Sequence, residues 1–168
     1  LRDLLVGALL AGERRRTLFG LGDGHGMVVD FRTGEIASSL PQAELLARPL
    51  QLGVPQRAPA DLSWKGATHA LQLATVLWGM THALIDQGVS PRTINGRYQL
   101  TQAPEPAVLS RPKMAGLVTA WTQRPMNVGE AAVAGRLSAF EILWFLSTAL
   151  ALGIAVPAAD GSVADHVA

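Results

Sequence analysis

The sequence predicts an α+β fold, mainly helical, in which a small antiparallel β-meander with helices precedes a compact three-helix module. Three observations predict it. Short apolar runs near the N-terminus alternate with glycine-rich turns, as paired strands do. Longer apolar stretches at residues 64–87 and 111–123 read as helices, the first stopped by Gly88. Finally, Asn127 stands three residues before Glu130, and Ser138 three residues before Glu141. Each pair sets a short acceptor and a carboxylate where a capping box needs them.

Taken in order, residues 4–10 form a short apolar helix, followed by Arg14, Arg15 and Arg16. Residues 17–19, 27–29 and 35–37 are short strands, with a tight hairpin turn around Arg32, Thr33 and Gly34. Residues 41–46 suit one amphipathic helix with Ser39 as its cap. Three prolines and little periodicity make residues 47–63 a linker or surface loop. Residues 94–100 suit a strand, with Asn95-Gly96 offering a turn, and Pro104 and Pro106 break the chain after it. Ser110 caps the next helix, and the two capped helices end at Gly135 and Gly153, glycine being suited to the residue just past a helix. Residues 154–156 form a last strand. Residues 158–168 are a flexible tail.

Composition narrows the function. A formal net charge of +1 gives no overall field that selects nucleic acid or acidic lipid. With no cysteine there is no disulfide scaffold, thiolate zinc site or cysteine nucleophile, which fits a cytoplasmic protein. The chain opens on Leu1 rather than methionine, so a fragment of a longer chain is expected, and a signal peptide could have been lost with its start. Residues 69–85 and 137–156 are the apolar stretches to weigh as membrane spans. His69, Gln72, Gly79 and His82 interrupt the first, while Glu141 and the helix stop at Gly153 interrupt the second. No span is expected.

Few residues suggest chemistry. Gly20, Gly22, Gly24 and Gly26 form a run that a phosphate loop could use, but such a loop opens a helix, and here a strand follows. A hairpin turn with an exposed His25 at its tip is the expectation. Arg14 to Arg16 could meet phosphates, though three cations between a helix and a strand more often form a solvated edge. His69 and His82, read as one helix, point about 220° apart and cannot share a metal. Asp23, Asp30 and Glu35 read as exposed turn residues. No Gly-x-Ser-x-Gly elbow is present. No enzyme, cofactor or metal is expected.

The segment from Arg111 through Pro125-Met-Asn-Val-Gly-Glu-Ala-Ala, Gly135, Leu137-Ser-Ala-Phe-Glu-Ile-Leu and Leu152-Gly-Ile-Ala-Val resembles the winged-helix architecture. That resemblance makes the second capped helix a recognition helix, with a short or missing wing after Pro157. Upstream, a helix followed by short strands around Gly34-Glu-Ile-Ala resembles the PatA-type domains of bacterial response regulators. This likeness implies an adaptor in surface motility or type IV pilus control. The expected division is therefore 1–103, an α+β region, then 104–157, a winged-helix-like module, then the tail.

Charge separates two uses of such a module. DNA binding draws on Lys and Arg for phosphates and on Arg, Asn or Gln for base edges. Between residues 126 and 156 the only basic residue is Arg136, although Arg111, Lys113 and Arg124 flank the preceding helix. The second capped helix is apolar on nearly every face, so either this chain or a partner covers it. Glu141, Trp144, Phe145 and Thr148 form the expected partner-binding stripe, facing a protein in preference to DNA. The alternative is a DNA-binding transcription regulator. A homo-oligomer is compatible with either.

Overall fold

The computed structural model describes residues 1–48, 66–105 and 113–158, together with the backbone of 54–57. The chain divides into two compact units, Leu1–Ser90 and Pro91–Ala168. The class is α+β, as expected. The strand near residue 100, expected in the first region, falls in the second unit and pairs with residues 155–157.

Unit 1 contains α1 (Arg2–Leu10), β1 (Arg16–Gly22), β2 (His25–Asp30), β3 (Glu35–Ser38), α2 (Gln42–Leu46), β4 (Val54–Arg57), β5 (His69–Gln72) and α3 (Leu73–Asp86). Its strands make one antiparallel sheet in the order β4-β1-β2-β3-β5. The meander is as expected; both flanking strands are new. β4 falls in the proline-containing stretch read as a loop, and Pro55 is tolerated because β4 is an edge strand. β5 takes residues read as the start of a long helix. Four residues are too few to separate a strand period from a helical one, and pairing of Leu71 with Ile36 settles it. His69 therefore stands on a strand and only His82 on the helix.

The first hairpin turns on Asp23 and Gly24, with φ of 52° and 74°. Two central residues of positive φ match the right-handed twist of paired strands. Register places Phe19, Met27, Val29 and Ile36 on one face, and all four are buried. Leu5 and Val6 of α1, Leu45 of α2, and Val76, Leu77, Met80 and Leu84 of α3 are buried as well. The opposite sheet face carries half-buried Leu18, Val28 and Ala37. Ser39 does not cap α2, whose N-cap is Pro41 without a side-chain bond. Its hydroxyl instead accepts from Gly26 N–H at 3.1 Å.

Unit 2 contains β6 (Tyr98–Leu100), α4 (Met114–Gln123), α5 (Val128–Gly135), α6 (Ala139–Ala151) and β7 (Ala155–Pro157). Ser110 and Arg111, expected to open α4, and the tail from 159 onward lie outside the described residues. β6 pairs antiparallel with β7, and on its other edge Tyr98 bridges Met126. The strand beside β7 comes from before α4, and Ala158 N–H donates to Arg97 O at 2.9 Å. The stretch after Pro157 where a short or missing wing is expected lies, from 159 onward, outside the described residues.

Trp121 and Phe145 stack at 6.0 Å in the core, and the Trp121 indole N–H donates to Tyr98 O at 2.8 Å. That bond ties α4 to β6 and satisfies the polar end of a buried aromatic. Among the described residues no single helix is long and apolar enough to cross a membrane; α5 and α6 are so only jointly, and they bend by 111°.

Candidate functional site

The bend of 111° across residues 136–138 is the geometry of a helix-turn-helix. Both capping boxes form. Asn127 Oδ1 accepts from Glu130 N–H at 2.9 Å, and Glu130 Oε2 accepts from Asn127 N–H at 2.9 Å. Ser138 Oγ accepts from Glu141 N–H at 3.2 Å, and Glu141 Oε2 accepts from Ser138 N–H at 2.8 Å. The turn corrects one expectation. Arg136, not Gly135, takes the left-handed conformation, with φ of 52°. Gly135 sits at a close approach instead: a Cβ there would lie 3.1 Å from Leu117 Cβ. Gly153 does end α6 as expected, with φ of 71°.

The expected partner stripe is not a surface. Trp144 is 5% exposed, Phe145 1% and Thr148 0%. An apolar helix with no wet face sits inside its fold, so three of the four residues belong to the core. Glu141 is half-buried, and its carboxylate is engaged by Ser138, whose hydroxyl also donates to it at 2.8 Å. What unit 2 leaves uncovered lies elsewhere. Val133 on α5 is 80% exposed and Val156 on β7 is 40% exposed.

The basic flank is organised around a carboxylate. Arg97 donates to Pro125 O at 2.9 Å and lies 3.1 Å from Glu130 Oε2; Arg124 lies 3.9 Å from Glu130 Oε1. The Asn127 N–H, then Arg97 and Arg124, hold the Glu130 carboxyl below its ordinary range. Arg97 escaped the sequence reading because only the β6 pairing brings it to α5.

Unit 1 does not assemble its candidates into one site. His25 flanks the turn instead of capping its tip; it is half-buried, with Nδ1 3.3 Å from Ser39 Oγ. Asp30 is buried, contrary to expectation. It accepts from Arg16 Nε at 2.9 Å and from the N–H groups of Arg32 and Thr33 at 3.0 and 3.3 Å. The Arg16 guanidinium foremost keeps its carboxyl below the usual range. Glu35 accepts from the Thr33 hydroxyl, and Asp23 occupies the turn. No group of three metal-ligating side chains exists among the described residues.

One buried cation had no sequence signal. Arg2 Nε donates to Thr81 Oγ1 at 3.0 Å, joining α1 to α3, and Nη1 donates to Asp3 at 3.0 Å. Burial lowers its pKa, with Asp3 opposing. A run of Leu-Arg-Asp-Leu reads as an ordinary first helical turn. Compared with models of protein families, with curated proteins and with solved structures, the chain has no significant match.

Proposed function

We propose that the chain is a non-enzymatic regulatory or adaptor protein acting through protein–protein contact. Surface motility or type IV pilus control is the setting its PatA-type resemblance implies. One observation carries this reading. The helix in the recognition position is used to build the core, and residues 137–157 contain no Arg, Lys, Asn or Gln to read a base edge. The large apolar side chains that unit 2 exposes among the described residues, Val133 and Val156, suit a protein surface and offer nothing to phosphate. The contact surface moves accordingly from α6 to the outer side of α5.

Capture of partners by the full chain, wild type against Val133→Glu, tests it. The variant should lose its partner and keep its melting temperature. The second reading, a DNA-binding regulator, draws support from the helix-turn-helix bend and from exposed Arg124 and Lys113. Affinity for duplex DNA at low salt that falls steeply as salt rises would sink the adaptor reading.

A further inference from the structure

The end of α1 and the loop after it carry an exposed apolar residue followed in the chain by exposed arginines. Leu10, the last residue of α1, is 61% exposed. The helix then stops at Gly12, with φ of 73°, and Arg14 and Arg15 follow, both exposed. Arg16 opens β1 and Arg32 tops the next hairpin. Asp30 Oδ2 brings them to one end of the sheet, 2.9 Å from Arg16 and 3.9 Å from Arg32.

Three carboxylates lie nearby and are engaged by their own chain, the exposed Glu35 opposite Asp30 accepting from the Thr33 hydroxyl. Glu13 accepts the N–H groups of Arg14 and Arg15, both at 2.8 Å, and Asp30 those of Arg32 and Thr33. Arg16 gives its Nε–H to Asp30, yet the Arg16 and Arg32 side chains stay 54% and 69% exposed.

We propose that this end of unit 1 docks on an anionic bilayer, with Arg14, Arg15, Arg16 and Arg32 against lipid headgroups and Leu10 inserted between them. Arginines alone would fit a nucleic acid equally well. Leu10 decides for the bilayer, because a phosphodiester backbone has no use for an apolar side chain, whereas an interface buries it while anionic headgroups attract the cations. Docking of this kind is weak, reversible and screened by salt.

The test is co-sedimentation of the full chain with phosphatidylcholine vesicles, with and without about 30% phosphatidylserine. The chain should bind the anionic vesicles only, and raising salt from about 0.1 M to about 0.5 M should weaken binding roughly tenfold. The double variant Arg14→Glu, Arg15→Glu should lose at least about tenfold, and Leu10→Ser about threefold, each with an unchanged melting temperature because the positions are exposed. Equal binding to neutral vesicles, no binding to either, or indifference to both variants would overturn the proposal. So would binding to duplex DNA that the double variant abolishes and Leu10→Ser leaves intact.

Discussion

The β2–β3 hairpin of unit 1 and the α5–α6 turn of unit 2 both rest on carboxylates, and they use them in opposite ways. In unit 2 each capping glutamate serves an N-cap three residues away and stays near solvent. In unit 1 Asp30 is buried and reaches Arg16, fourteen residues away, while also holding the loop N–H groups. Local exposed anchors set where helices start but add little stability each. Unit 2 depends instead on the apolar mass of α6. Unit 1 has an apolar core of its own and adds this long-range polar anchor to it.

Breaking the core of unit 2 should therefore have the largest effect. Phe145→Asp places a carboxylate against Trp121 in a buried site and should cost about 4 kcal/mol or more. Chemical denaturation followed by tryptophan emission should show unit 2 unfolded or nearly so. A variant that melts like wild type but has lost a partner would restore Phe145 to the surface and remove the contrast between the two units.

Asp30 sharpens the other side of the comparison. Asp30→Ala orphans two backbone N–H groups and frees Arg16, at about 2 kcal/mol. The pH dependence follows from the depressed carboxyl pKa. The stabilisation is fully present above the ordinary aspartate value of about 3.9, and it is lost as pH falls through the lower folded value. An acid titration of wild type should thus lose stability below about pH 4, and Asp30→Asn should flatten that part of the curve. If the Asn variant keeps the full acid dependence, another carboxylate is responsible.

How much could be read beforehand follows the same division. Both capping boxes, the Gly153 stop and the meander were legible, because each is written within a few consecutive residues. The flanking strands were not. β4 carries Pro55, and β5 is His-Ala-Leu-Gln; neither shows a period of two, and both exist because β1 and β3 offer unpaired edges. The partner stripe failed for a related reason. The sequence showed that α6 was apolar all round but not what covered it. The Arg97–Glu130 contact waited on the β6 pairing.

Gly135 tests whether the helix-turn-helix is set by packing or by backbone conformation. Gly135→Ala adds a methyl 3.1 Å from Leu117 Cβ and 3.2 Å from Leu137 Cδ1. Overpacking should outweigh the better helix propensity of alanine and cost about 1–2 kcal/mol net. Leu117→Gly in the same chain, which removes both the Leu117 Cβ and Cδ1 contacts, should recover part of the Gly135→Ala loss in a double-mutant cycle. Simple additivity would show that the close approach of α4 and α5 is not what requires glycine.

The smallest effect separates the two capping boxes. Ser138→Ala removes the acceptor for Glu141 N–H and the hydroxyl that holds Glu141, and should cost about 1 kcal/mol. Asn127→Ala removes the matching acceptor, but Glu130 keeps Arg97 at 3.1 Å and so stays beside the start of α5. The second loss should be the smaller of the two. Raising salt should narrow that gap, because the Arg97–Glu130 attraction is half-exposed and screened, whereas the bonds of the Ser138 box are local and nearly salt-independent. Hydrogen exchange at the first amides of α5 and α6 reads each cap separately. Equal losses at both helices, with no response to salt, would mean that Arg97 adds nothing to the first box and that the two are interchangeable.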